Sequence, residues 1–488
     1  MTLPAIWSRF FSPDRRPGYG APVAITPGQV GLRSERGPIL ISLMLATGLV
    51  AIDSTVIATA VPSIVANLGG FAQFPWLFSI YLLAQAVSIP IYGKLADLMG
   101  RKPVMLLGIA LFLLGSVLCT VAWSMPALIV FRALQGLGAG AVQPMSLTIA
   151  GDIYTVAERG KVQGYLASVW AVSAVVGPTL GGVFSEYLSW RWIFVVNVPL
   201  CLIAMVALSR NFKEQVTRRA NALDYPGSLL LASGCGLVML GLLSGGEAWP
   251  WRSLPGVGVL VGGLVLLAVL VPVERRSAEP VLPPWVFRRR ILISSNLAAA
   301  SLGAVLLGLT SYVPTFVQGV FGTGPLVAGF ALATLTVGWP ITASQASRVY
   351  LRIGFRAAAL IGSAITLAGT VLIAFVNHGI GWIAVACFVV GAGMGLVAAP
   401  TLIAAQSTVE WDERGVVTGT NMFSRSIGSA VGVALFGAIA NATLRADGAG
   451  SAAALDRATQ HVFLAVAVVA VVMCLAVALL PRVSVRPQ

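Results

Sequence analysis

Residues 37–62 read GPILISLMLATGLVAIDSTVIATAVP, an apolar run of membrane-spanning length with a single carboxylate, Asp53, inside it. A helix rises about 1.5 Å per residue, so a run of this length crosses a hydrocarbon core about 30 Å thick. Hydrocarbon flanks Asp53 on both sides, where an ionised carboxylate costs about 3 kcal/mol or more. A lone acid held at that cost is expected to serve function, and the service it can give is to take up and release a proton.

The same pattern recurs along the chain. Apolar runs of about 18 to 27 residues lie near 38–63, 75–96, 103–123, 126–151, 161–185, 191–209, 225–243, 254–273, 291–318, 325–346, 357–376, 381–407, 415–441 and 459–480. The 488 residues are 57% hydrophobic and 10% charged, against roughly one-quarter charged in soluble proteins. The fold class is therefore all-α integral membrane protein, with about fourteen transmembrane helices. The five cysteines sit inside apolar runs with neither metal-ligand nor disulfide spacing, and read as packing residues.

A net charge of +14 could suggest nucleic acid, but its distribution argues for a membrane. With a cytoplasmic N-terminus, every lysine and arginine except Arg132, Arg425, Arg191, Arg252, Arg445 and Arg457 falls on the cytoplasmic side. That bias is the positive-inside rule and puts both termini in the cytoplasm of a multi-pass protein of the cell membrane. Membrane lipid is the expected partner of the excess positive charge, and nucleic acid is not a partner. Residues 1–37, with Arg9, Arg15, Arg16, Arg33 and Arg36 among prolines and glycines, read as a cytoplasmic tail, not a signal peptide.

Residues 158–164, ERGKVQG, match 413–419, ERGVVTG, and Gly136, Gly138 and Gly140 match Gly391, Gly393 and Gly395 at the same offset. The matched stretches run in the same direction, so residues 38–209 and 291–480 are expected to be parallel six-helix repeats. Residues 210–290 match neither, and read as a linker with two inserted helices and basic cytoplasmic loops. Residues 481–488 form a second short tail. The arginine-rich, proline-containing stretch 274–290 reads as a connector at the lipid surface.

Three ionisable groups lie at membrane depth: Asp53, Arg132 in span four and Arg425 in span thirteen. A carboxyl group in hydrocarbon favours its neutral form and a nearby arginine favours the charged one. A change in their separation between two conformations would load and unload a proton, and either arginine could be the partner. The plain alternative is a static pair that only orients helices.

Span four carries Arg132, Gln135, Gln143 and Ser146 on one helical face, and span two carries Tyr81, Gln85, Ser88 and Tyr92. In lipid such faces must turn inward, toward a watery cavity or interhelical hydrogen bonds. Tyr312, Phe316, Trp339, Asn421 and Met422 are expected to complete the cavity, with aromatic and thioether groups suited to varied apolar cations. Beside the span-four stripe, Gly136 and Gly140 form a small-residue ridge for close helix packing.

In span five, Gly177, Pro178, Gly181 and Gly182 should kink the helix and admit a neighbouring backbone, which suits a gate. The loop after span two holds Gly93, Asp97, Gly100, Arg101 and Lys102, a turn that places an acid and bases at the cytoplasmic surface. There Asp97 could accept from the free amides that open another helix. The second half keeps the bases, in Arg348, Arg352 and Arg356, but has Leu351 for the acid.

These segments, together with DSTV ending at Pro62, RALQG from Arg132 and WRWIFVVNVP at 190–199, resemble the signature motifs of the major facilitator superfamily. They are most similar to its fourteen-helix drug/proton antiporter branch. The resemblance covers nearly all of the chain beyond residue 37. It implies a rocker-switch exporter with Asp53 as proton site, Arg132 as the coupling arginine, Gly177 and Pro178 as the antiporter motif, and Asp97 with Arg101 as the latch between halves. The family pattern also has an arginine at the place of Arg425. Span ten lacks the additional membrane carboxylate of members that expel dications, which argues against dications as the main substrate.

The expected function is proton-coupled export of drugs or other amphipathic small molecules, with protons and substrate as partners. No Gly-x-x-x-x-Gly-Lys-Ser/Thr loop is present, so the proton gradient is the expected energy source, with no cofactor and no metal. An exporter or flippase of a lipid or siderophore-like metabolite would use the same machinery. A subunit of a proton-pumping complex would need a chain of membrane Lys, Glu and His, whereas only His378 and His461 exist, near helix ends. No nucleophile, base or metal cluster favours an enzyme. Oligomeric state stays open.

Overall fold

A computed structural model describes residues 30–69, 76–214, 224–244, 249–250, 252–277, 280–323, 325–375, 379–447 and 452–482. Residues 1–29 and 483–488, most of the expected tails, lie outside the described residues. Among the described residues fourteen helices are long and apolar enough to cross a membrane.

The first half comprises α1 (Gly37–Leu68), α2 (Trp76–Met99), α3 (Arg101–Thr120), α4 (Met125–Ile153), α5 (Val156–Tyr187) and α6 (Trp192–Val195 continued by Asn197–Asn211). Two helices follow, α7 (Tyr225–Ser244) and α8 (Leu254–Arg276). The second half comprises α9 (Arg290–Phe321), α10 (Pro325–Ile353), α11 (Phe355–Phe375), α12 (Ile380–Ser407), α13 (Arg414–Asp447) and α14 (Ala452–Ala478).

Local chemistry sets several boundaries. Ser124 caps α4 by accepting the Ala127 amide, and Thr155 with Glu158 forms a capping box that opens α5. This cap starts α5 at Val156, earlier than its apolar run, because hydrophobicity marks only the lipid-crossing part. Gly100 (φ +100°) and Gly354 (φ +85°) turn the chain between α2 and α3 and between α10 and α11, in a region that disfavours side chains.

The internal repeat is visible in how glycines seat. Gly136 of α4 backs onto Tyr81 of α2, and Gly391 of α12 backs onto Leu335 of α10. Gly138 meets Phe112 of α3, and Gly393 meets Thr366 of α11. Each half thus packs its fourth helix against its second and third in the same way. Each also has its own apolar core: one includes Leu43, Met105, Phe112 and Ile149, the other Leu309, Phe316, Met394 and Phe463.

The halves meet along two seams, α2 against α13 and α5 against α10. The inserted helices pack on each other, and α7 leans on α2 and α13 through Leu231 and Cys235, beside Ile89 and Met422. Val257, Val261, Leu264 and Val265 leave an apolar side of α8 exposed, as a helix facing lipid requires.

Candidate functional site

Asp53 lies midway along α1 and is 1% exposed. Arg132 Nη1 of α4 meets its Oδ2 at 2.7 Å. Its Oδ1 accepts from Gln135 Nε2 at 2.9 Å and from Asn197 Nδ2 of α6 at 3.0 Å. Gln135 also accepts from Arg132 at 2.6 Å and donates to Ser116 of α3 at 2.8 Å. The Arg132 guanidinium rests 4.1 Å from the centre of the Tyr81 ring. Two helices, α4 and α6, therefore hold the α1 carboxylate with three donors, Ser116 of α3 steadies Gln135, and α2 supplies the aromatic floor. A charge in this interior survives because every face of it is paired.

A second constellation lies at the face where α1 begins. Asp97, in the last turn of α2, accepts the amides of Gly415 at 2.8 Å and Val416 at 2.7 Å, which open α13. Those amides have no intrahelical partner, and the helix dipole favours an anion there. Arg101 bridges Asp97 at 3.1 Å and Asp152 at 3.0 Å, donates to the Trp411 carbonyl and stacks 3.6 Å from the Trp411 ring centre. Arg414 pairs with Asp152 at 2.9 Å. The backbones of Gly93 and Gly415 touch beneath this network: a Cβ on Gly93 would sit 2.6 Å from the Gly415 carbonyl oxygen. On the other seam, Tyr350 of α10 donates its hydroxyl to the Val156 carbonyl, and Gly160 packs on Ser347.

Residues 43–433 match the family model described as Major Facilitator Superfamily. The chain belongs to the major facilitator superfamily. It is 33% identical to Multidrug resistance protein 3 of Bacillus subtilis (strain 168), over 82% of this chain and 79% of that protein. It is 32% identical to Multidrug transporter protein MdtP of the same organism, over 84% and 76%. Among solved structures, the human organic anion transporter MFSD10 (TETRAN) aligns with a TM-score of 0.65 at 15% identity, covering 89% of this chain and 99% of that one. That likeness bears on fold alone. As a major facilitator protein the chain is a membrane transporter and not an enzyme.

Within this major facilitator fold the expected site residues divide into groups. Asp53 and Arg132 pair directly, whereas Arg425 stands apart, its guanidinium 5.0 Å from the centre of the Trp339 ring. Of the expected cavity residues, Gln85, Gln143, Tyr312 and Trp339 are partly buried. The other five are committed elsewhere. Gln135 is fully buried in the Asp53 cage, and Tyr81 is 2% exposed beneath Arg132. Phe316 packs edge-on against Phe321 and Phe463 in the core of the second half, not on a cavity wall. Asn421 donates to Ser295 and so ties α13 to α9. Met422 is 8% exposed and packs with Ile89 and Leu231.

In α5, Gly177 approaches α1 so closely that a Cβ would lie 2.8 Å from Thr55 Cβ, two residues from Asp53. The helix runs from Val156 to Tyr187 as one element, so the expected kink at Gly177 and Pro178 falls inside a continuous helix. Gly181 is buried, and Gly182 faces open space. In the latch, Lys102 turns away and donates to the Ser209 carbonyl at 2.8 Å, fastening α3 to α6.

Sequence reasoning missed Asn197 and Ser116 in the cage, and Asp152, Trp411 and Arg414 in the latch. Asn197 lay inside a quoted motif, and a lone amide in an apolar span was the available signal. Among the described residues no three His, Cys, Asp or Glu side chains gather as metal ligands.

Proposed function

We propose that this transporter is a proton-coupled exporter of amphipathic drugs working by alternating access, with both termini in the cytoplasm. The observation that carries the reading is the sealed Asp53–Arg132 pair, 2.7 Å apart and shut away from bulk water. The multidrug names of the two Bacillus subtilis relatives support the substrate class. The bonds between halves at the face where α1 begins support a conformation closed to the cytoplasm.

Protonation of Asp53 from outside would neutralise the carboxylate and release Arg132 from its partner. The halves would then rock, parting Asp97 from α13, and substrate entering from the cytoplasm would favour proton release as Arg132 returned. One charge moving through 100 mV supplies about 2.3 kcal/mol, enough for roughly a 50-fold gradient. A single proton per cycle would sustain useful efflux.

The test is transport in proteoliposomes under an imposed pH gradient, with internal pH recorded. Wild-type protein should move a lipophilic drug uphill with counterflow of protons, and Asp53→Asn protein should only equilibrate it. Uphill transport by Asp53→Asn would refute the assignment.

A further inference from the structure

Among the described residues the membrane interior holds one acid and two arginines, and the acid pairs with Arg132. Arg425 is left over. Among the described residues its guanidinium makes no hydrogen bond or ion pair, and no neighbouring charge acts on it. Protein surrounds it, yet it keeps accessible surface, so it faces a space internal to the bundle. Among the described residues the one ring or polar partner of its guanidinium is the face of Trp339, 5.0 Å from the ring centre. The backbones of α10 and α13 share no extended packing.

An uncompensated guanidinium in a low-dielectric interior is costly, and the cost is removed when an anion arrives. Arginine presents several N–H donors in a planar fork that fits a carboxylate. The Trp339 indole N–H makes no hydrogen bond among the described residues and offers a further donor, while the exposed part of the ring gives apolar surface to the body of a ligand. In the N-terminal half Gln85 and Gln143 are partly buried, and their amides have no partner among the described residues. Cations gain nothing from such a space, since the interior carries one positive charge in excess.

We infer that Arg425 and Trp339 form an anion-reading subsite, and that the preferred substrates are amphipathic aromatic molecules bearing a carboxylate. This reading departs from the expectation of apolar cations drawn from the aromatic residues alone, and the cation probe below decides between them. It rests on the reading that the space between the halves is the transport path, but not on proton coupling.

The test is equilibrium dialysis of the full-length protein in detergent micelles, with protein-free micelles as blank and no pH gradient. The probes are 1-pyrenebutyrate, its uncharged methyl ester and the tetraphenylphosphonium cation. Wild-type protein should bind the acid about tenfold or more tightly than the ester, the scale of a hydrogen bond to a charged group. Arg425→Gln should abolish that preference and leave ester and cation binding within about twofold, and Arg425→Lys should keep part of it. Equal wild-type affinity for acid and ester would overturn the inference. So would an Arg425→Gln protein that weakens all three probes alike, as a purely structural or proton-coupling role would produce. Should Arg425→Gln fail to fold, the wild-type comparison and Trp339→Phe decide: loss of the indole N–H should weaken the acid and spare the ester.

Discussion

Asp97 Oδ1 accepts the backbone N–H of Gly415 at 2.8 Å, so the end of α2 in one half is fastened to the start of α13 in the other. The bond uses a main-chain donor that every helix start leaves free, so this bond itself needs no α13 side chain. Asp97→Asn preserves shape but removes the charge facing Arg101 and one of the two amide acceptors. Hydrogen bonds to a charged group contribute about 1.5–3 kcal/mol, so the closed population should fall by roughly ten- to a hundredfold. Spin labels at the exposed positions Met99 and Leu351 should report longer distances in the variant. An unaltered distribution would mean that the latch does not set the equilibrium.

The Asp53–Arg132 pair predicts a non-additive stability cycle. Arg132→Leu strands a buried carboxylate and should destabilise by about 3–5 kcal/mol, whereas the double change Asp53→Leu with Arg132→Leu should recover most of that loss. Thermal unfolding in detergent measures all the corners. Equal losses in the single and double variants would show that the pair is not electrostatically coupled.

Asn197 predicts a split between binding and coupling. Asn197→Val removes one donor to Asp53 without touching Arg132 or the partly buried polar residues. Drug accumulation driven by a pH gradient should slow about tenfold, the usual scale for losing a partner that positions a functional group. Equilibrium drug binding should stay near wild type. A parallel loss of both would assign Asn197 to general packing.

Two neighbouring glycines predict opposite outcomes. Gly177→Ala would force α5 away from Thr55, costing about 1–3 kcal/mol. Gly182→Ala meets open space and should be neutral or mildly stabilising, since alanine favours helix. Unfolding temperatures and transport rates of the two variants should diverge, and matching behaviour would remove Gly177 from the α1–α5 contact.

The sequence made the fold legible because lipid imposes a crude rule, long apolar runs, and because the ERG and glycine matches revealed a duplicated half. Asp97 was readable as a partner of helix-opening amides, although it and Gly93 stand in α2 and Arg101 and Lys102 in α3, so that of the expected loop only Gly100 lies between helices. Gln135, Phe316 and Asn421 were harder. A polar or aromatic side chain on a helix shows which stripe it shares, but not whether that stripe meets a neighbouring helix or a space. Asn421 reaches Ser295 in the structure, a pairing 126 residues apart, and Gln135 reaches Asp53 across 82. Neither could be read from local periodicity.

Where Gly93 and Gly415 press together there is nothing to disentangle. Interlocked knobs would have to be withdrawn one by one, whereas two smooth ridges can slide or part as plates do. Incoming water can take over the bonds that Asp97 and Asp152 surrender. Separation at this crossing then becomes an exchange of polar partners instead of the tearing open of a core, which suits a motion repeated on every cycle within microseconds to milliseconds.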